Sequence, residues 1–310
     1  MGIVVIGATF VDIKGFPEDT YSPTGRNVGS VEYIHGGVAR NVVEDIANVE
    51  LRPTFVGIVD DTPLGEDVVR KLEKHKVNVD YVLRKKDGMG TWLAIFDNDG
   101  DLAGSISKRP NMLPVVEILE EKGDEIFANA DSVVLEADLN KEIVKKVFEL
   151  ASKHNKKVFA VVSNMNIMIQ RRDFIPKFDC FICNQLEAGI LFADDYSEKT
   201  PEEIRDIISE KVVNAKIPAM IVTLGAQGAV YADIHGNKGM CPARNVKVID
   251  TTGAGDAFCA GVSIGLTYGK TLPESIEIGS YLAACVIVSS DNVCPRFQPR
   301  ELGLDIEVKD

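Results

Sequence analysis

The chain has 310 residues, with 34 Lys and Arg against 47 Asp and Glu and a net charge of −13. Its hydrophobic and charged fractions, 45% and 26%, are those of a soluble globular protein and exclude collagen-like, disordered and disulfide-scaffold chains. The acidic balance argues against nucleic acid, whose binding needs clustered Lys and Arg, but leaves small anions open, because backbone dipoles can hold them.

The length fits about two domains, or one large α/β domain with an appendage. No run approaches the ~20 apolar residues of a membrane span, so no membrane partner is expected. The opening MGIVVIGATFVDIKG lacks a basic leader and runs straight into a strand, which argues against a signal peptide. Six Cys, at 180, 183, 241, 259, 285 and 294, make no disulfide framework in a chain this long. A reducing cytoplasm is the expected setting.

In chain order, GIVVIGA is a buried-strand run. RNVVEDIANV is helical by its spacing of Val42, Val43, Ile46 and Val49. PTFVGIV is a strand and EDVVRKLEKH a helix. SVVLEAD, KEIVKKVFELASKH, KKVFAVVS, FDCFICN, PEEIRDIISEKVV and AMIVTLG continue the alternation. Strands alternating with helices predict βαβ units and a mostly parallel sheet covered on both faces. Two segments break the rhythm. Residues 12–35 carry Gly, Pro and polar residues around a short alternating run. Residues 88–107 read as a hairpin turning at DNDGD. Together they predict a small β-lid made from two separated insertions.

The sharpest local signal is VKVIDTTGAGDAFCAGVSIGL. Val246, Val248 and Ile249 read as the end of a strand. Gly253, Ala254 and Gly255 then lead Asp256 into an apolar-periodic helix. Such a turn aims amides at one point at a helix N-terminus, a place suited to a phosphoryl group. A carboxylate there would repel bound phosphate. It makes sense as an acceptor of the proton from an attacking hydroxyl, the alternative being a plain helix N-cap. A second signal, Gly36-Gly37 before a helix carrying Asn41, gives close backbone approach and a polar side chain near a helix start.

GGVARN at 36–41 and DTTGAGD at 250–256 together resemble the two signatures of the ribokinase-like (PfkB) carbohydrate and nucleoside kinases. Order and separation match, and the resemblance covers essentially the whole chain. It implies a three-layer α/β/α fold with a central, mostly parallel sheet and the β-lid, within one kinase domain spanning 1–310. It implies phosphoryl transfer from Mg·ATP to a hydroxyl of a sugar or nucleoside, with Asp256 as base and Gly253, Ala254 and Gly255 as the anion hole. Asp12, Gly36, Gly37 and Asn41 match the substrate-binding positions. Asn184 and Glu187 match the NxxE motif that organises Mg2+ and phosphates through water. Thr223, Gly225 and Gly228 match the segment beside ATP. Asp250 and Thr252 match a loop that holds a monovalent cation such as K+ in ribokinase-type members.

Phe10 stands where ribokinase-type members often have Asn, which weakens a free-ribose assignment. SPTGRNVGSVEYIHGGVARN, GTWLAIFDNDGDL and SSDNVCP are similar to the pseudouridine-kinase-like branch, although SISKRPNM departs from it. A sugar kinase for ribose or fructose is the main rival, and a non-catalytic sugar- or nucleotide-binding sensor is the rival from another class. Arg40 reads as a helix-surface charge paired with Glu44, four residues on, and Lys108 and Arg109 as solvated lid charges. Exposed strand edges and apolar residues in the lid (Val28, Val31, Tyr33, Trp92 and Ile95) make a lid-to-lid homodimer plausible.

Other fragments carry no chemistry. GLTYGKT is one residue short of a phosphate-binding loop and lies at a helix end, so Lys270 reads as a C-terminal helix charge. Cys180 and Cys183 have CxxC spacing but no second ligand pair, and in a strand they face opposite ways. His35 borders the presumed substrate site and reads as a packed histidine.

Overall fold

The computed structural model describes residues 2–306. Nine strands form one sheet in the order β13-β12-β11-β10-β9-β8-β1-β4-β5. They are β1 (Gly2–Ile6), β4 (Thr54–Asp60), β5 (Asn78–Lys85), β8 (Ala130–Glu136), β9 (Val158–Val161), β10 (Cys180–Asn184), β11 (Ala219–Thr223), β12 (Ala229–Asp233) and β13 (Lys238–Cys241). Neighbours from β5 to β11 run parallel, and only β12 and β13, at one edge, pair antiparallel.

Helices cover both faces. On one side lie α3 (Val115–Glu121), α4 (Gly123–Ala128), α5 (Lys141–His154), α6 (Met165–Met168), α7 (Gln185–Phe192) and α8 (Pro201–Ala215). On the other lie α1 (Val38–Asn48), α2 (Pro63–Lys74), α9 (Ala254–Thr267) and α10 (Leu272–Ile287). The period-2 pleat divides the central strand between two cores. Val4 and Ile6 of β1 join one, Ile3 and Val5 the other. This is why GIVVI has no polar position. Cys180 and Cys183 likewise fall in different cores, and all six cysteines are free thiols.

The interrupted segments form a second sheet, β3-β2-β6-β7, from β2 (Phe10–Pro17), β3 (Gly29–Gly36), β6 (Gly90–Phe96) and β7 (Leu102–Lys108). Its middle pair is parallel, so the two insertions meet through β2 and β6. One face carries Tyr33, Ile13, Leu93 and Ile106 in a single cross-strand row. The other carries Asp12, Trp92 and Ser107. Trp92 is half-buried, so it does not belong with the exposed lid residues.

The strand expected at 246–249 does not form. β13 ends at Cys241, and residues 242–250 run without regular structure. Val248 and Ile249 are exposed, while Val246 and Val248 line a cavity. Their apolarity serves that wall rather than a sheet. Lys270 lies between α9 and α10, past the end of α9 at Thr267 rather than on its last turn.

Candidate active site

The parallel strands of the large sheet end on one side, where loops after β1, β8, β10 and β11 gather. That is where open α/β sheets bind ligands. The turn before α9 reaches the same place. Gly253, at φ +82, is its N-cap. A Cβ there would come within 2.0 Å of the Asn292 carbonyl oxygen, so glycine is required for both conformation and space. Asp256 is therefore the third helical residue, not the N-cap. The Ala254 amide already donates to Thr251 O at 3.2 Å. Among the described residues no such bond uses the amides of Gly255 and Asp256, which are first-turn donors left to an anion.

The Asp256 carboxyl is pushed up to about 6. Burial is the main cause, and the carboxylates of Asp12 and Glu187 add to it. A hydrogen bond from Asn41 and the charge of Arg40 oppose it. Asn41 Nδ2 donates to Asp256 Oδ2 at 2.6 Å, a contact that joins the two sequence signatures across 215 positions.

Around this contact the residues expected on the acceptor side assemble. Gly37, at φ +98, turns the chain into α1 against the backbone of Ala8 and Phe10. A Cβ on Gly36 would lie 2.6 Å from the Asp12 carboxylate oxygens, so Asp12 sits directly over this glycine. Burial raises the Asp12 pKa, partly offset by Lys14 and Arg40. Phe10 leans its ring over Gly90, where any Cβ would collide with it.

Arg40 is fully buried, not on the helix surface. Its pairing with Glu44 holds, but Glu44 is buried too and also meets Lys71 Nζ at 3.0 Å. The helix α1 has no solvent face at this point, because the sheet, α2, α9 and the 292–294 segment enclose it. His35 is a packed histidine, with Nε2 3.1 Å from Asp67 on α2.

Two carboxylates escaped the sequence reading. Glu136 and Asp138 follow the buried run of β8 and are themselves buried. Glu136 Oε2 accepts from Ala8 N at 2.8 Å, and its other oxygen has no partner among the described residues. Burial, then the Asp138 charge, raises its pKa far above the ordinary carboxylate range. Asp138 takes Arg109 at 2.7 Å and Ser163 N at 2.9 Å. Arg109 is thus anchored in the cleft rather than free in solvent, whereas Lys108 pairs with exposed Asp87 at 2.8 Å on the lid rim. The available signal was two acids directly after an all-apolar strand run.

The remaining residues line the cavities along the β10–β11 side. Thr223, Gly225, Gly228, Ala254 and Gly255 border a cavity of about 540 Å³ whose wall also includes Val246, Val248 and Phe258. An adjoining groove brings Asn184 beside Thr223, Gly225 and Gly255. Cβ atoms built on Gly225 and Gly255 meet nothing within 4 Å. The missing side chains leave room in the groove, as a closely held nucleotide requires.

Asn184 and Glu187 also form a capping box at α7, Glu187 Oε2 accepting from Asn184 N at 2.8 Å. Burial raises the Glu187 pKa and the Asp138 charge adds to it. The mutually repelling carboxylates of Asp138 and Glu187 suit a divalent cation held through water and substrate phosphates. No direct cluster of three or more His, Cys, Asp or Glu ligands exists among the described residues. Asp250 lies below its ordinary range. Partial burial raises it, but hydrogen bonds from the Thr252 amide and side chain, the charge of Lys14 and the Thr251 amide outweigh that, Thr252 N lying 2.8 Å from Oδ1.

Fold and site define a phosphotransferase with an alcohol as acceptor. Residues 2–293 match the pfkB family of carbohydrate kinases, and the chain belongs to that family. It is similar to the guanosine-inosine kinase of Exiguobacterium acetylicum, with 34% identity over 94% of this chain and 95% of that protein. It is also similar to the pseudouridine kinase of Escherichia coli, with 23% identity over 89% and 87%. Arabidopsis thaliana ribokinase, solved with ribose and ATP, superposes with a TM-score of 0.83 and 21% identity over 98% of this chain and 99% of that one, which establishes the ribokinase-like fold. The chain is thus a sugar or nucleoside kinase, and kinases of this fold use ATP, typically with Mg2+. No helix among the described residues is long and apolar enough to cross a membrane.

Proposed function

We propose that this chain phosphorylates the primary hydroxyl of a nucleoside, with 6-oxopurine nucleosides such as guanosine and inosine as the first candidates and pseudouridine as the second. The observation that carries this is the Asn41–Asp256 hydrogen bond, which seats one carboxylate between the acceptor pocket and the groove of Gly225 and Gly255. The greater identity to a guanosine-inosine kinase than to a pseudouridine kinase supports the order of candidates. Trp92 lies opposite Asp12 in the register of β2 and β6, which offers an aromatic face beside the sugar site.

In this mechanism Asp12, Gly36 and Asn41 hold the sugar. Asp256 removes the proton of the primary hydroxyl as its oxygen attacks the γ-phosphorus and the bond to the β-phosphate bridging oxygen breaks. Amides of Gly253, Gly255 and Asp256 receive the charge on the transferred group. The Ala254 amide, already bonded to Thr251 O, takes no part in that role. Asn184, Thr223, Gly225 and Gly228 border ATP. Glu187, through water, would position Mg2+, which neutralises phosphate charge when bound. Asp250 and Thr252 would place K+ beside the turn. Closing the lid excludes water as a competing acceptor.

The test is ADP release over guanosine, inosine, pseudouridine, other nucleosides, ribose and fructose. Turnover with guanosine or inosine at least as high as with any other acceptor is expected. Preference for a free sugar would overturn the nucleoside assignment. Binding without ADP release across the panel would favour a sensor.

A further inference from the structure

Arg40 donates from all three guanidinium nitrogens, and every acceptor is in or behind the acceptor pocket. Nε donates to Gly36 O at 3.3 Å. Nη1 meets Glu44 Oε2. Nη2 donates to both His35 O and Asn41 Oδ1. Asn292 supplies a second donor to the same two acceptors, at 2.8 Å to His35 O and 3.3 Å to Asn41 Oδ1. With both donors on its oxygen, the Asn41 amide has one orientation available. Its oxygen faces Arg40, and its NH2 is turned to Asp256 Oδ2. A planar fork can hold two carbonyls and an amide oxygen together. An ammonium, as a point charge, cannot reproduce that set.

We propose that Arg40 is a positioning residue that fixes the orientation of the Asn41 amide and, through it, the geometry of the Asp256 carboxylate at the acceptor hydroxyl. This rests on Asp256 acting as the base. The ion pair with Glu44 is separable from this role. Glu44 also meets Lys71 and, at 3.9 Å, His75, so it is not left alone when the fork is lost. The two roles therefore predict different variants to be damaged.

The groups that act electrostatically on Asp256 are Asp12 on β2, Arg40 and Asp45 on α1, Glu187 on α7 and Cys259 on α9. Substituting Arg40 by Lys keeps the charge nearly in place and leaves Asp12, Asp45, Glu187 and Cys259 unchanged. What it removes is the forked donation to the Asn41 oxygen, leaving that oxygen only the bond from Asn292 at 3.3 Å. Held by one donor instead of two, the Asn41 amide donates less constantly to Asp256, so protonation of Asp256 becomes easier.

Arg40→Lys is expected to lower kcat about ten- to a hundredfold, with KM for ATP changed by no more than about twofold. The acid limb of its pH–kcat profile should move to higher pH. Glu44→Gln should lower thermal stability yet keep kcat and the acid limb of the parent enzyme. If Arg40→Lys melts below the assay temperature, the double variant Arg40→Gln/Glu44→Gln, which leaves no Glu44 carboxylate unpaired behind the helix, carries the same expectation for kcat. Parental kcat and acid limb in the folded Arg40 variant would overturn the inference. So would a Glu44→Gln loss of kcat equal to that of Arg40→Lys. Asp256→Asn run in parallel separates the two claims. Full turnover in Asp256→Asn removes the base itself, whereas an inactive Asp256→Asn beside an unaffected Arg40→Lys removes only the positioning role.

Discussion

The two halves of the cleft are built by different means. The half proposed for the nucleotide is shaped by backbone. Gly225 and Gly255 leave space, Gly228 and Gly253 take positive φ, and apolar residues line the wall. The half proposed for the acceptor is made of charged and amide side chains: buried Arg40 and Asn41, hydrogen-bonded to each other and on to Asp256, with half-buried Asp12 beside them. A backbone cradle tolerates any ligand of the right shape and charge. A buried polar network has each donor committed, so it discriminates among hydroxyl patterns and responds to pH.

Asp256 stands where the halves meet, and removing its basicity should have the largest effect. Asp256→Asn is expected to cut kcat about 10²–10⁴-fold with ATP binding nearly intact. Single-turnover kinetics with an independent nucleotide-binding titration would show both. Asp12→Ala comes next and should act on one half only. Loss of a charged hydrogen-bond partner should raise KM for the acceptor about 10–100-fold and leave KM for ATP alone. Fluorescence of Trp92, the sole tryptophan, gives an acceptor titration free of turnover. A loss of ATP affinity alone would mean that the halves have been assigned the wrong way round.

The pH dependence should also belong to the meeting point. With the Asp256 carboxyl at about 6, lowering pH protonates the base. Turnover should fall about tenfold between about pH 7 and about pH 5. A flat profile over that range would detach the rate from this carboxylate.

What the sequence made legible follows the same division. DTTGAGD and GGVARN could be read because their demands are local: positive φ, close approach and a helix start all lie within a few residues. The two-sided burial of β1 was equally plain in GIVVI. The surroundings of Arg40 were not legible, because the i,i+4 pair with Glu44 looks the same on an exposed helix as on an enclosed one. Only the packing of α9 and the return of Asn292 and Cys294 against α1 decide it. Val246 to Ile249 misled for a related reason, since apolar residues that line a ligand cavity resemble those that fill a sheet. The NxxE motif hid a second role, because Asn184 and Glu187 also cap α7.

Gly255 and Gly253 sharpen the shape argument. A Cβ on Gly255 meets nothing and the residue is helical, so Gly255→Ala should not lower the melting temperature. It should raise KM for ATP several-fold, about five to ten, by filling the groove. Gly253→Ala forces a left-handed alanine against the Asn292 carbonyl, at a cost on the order of 2 kcal/mol. Thermal melts beside ATP titrations distinguish them. If both melted alike, the openness of Gly255 would carry no meaning.

The smallest effect on chemistry should come from the outer face of the lid, which touches neither half. Tyr33, Leu93 and Ile106 share a cross-strand row there, with Val31 and Ile95 in the next, and all five are exposed. A contiguous apolar face on an open four-stranded sheet suits burial against a second copy, and we propose a homodimer formed there. The parent protein is then expected to sediment as a dimer at micromolar concentration, and Ile106→Asp as a monomer. Because this face points away from Asp12, kcat at saturating acceptor should stay within about twofold of the parent. A parent that sediments as a monomer would rule the dimer out. A monomeric variant with collapsed kcat would instead mean that the partner copy braces the lid over the site, tying the outer face to the acceptor half.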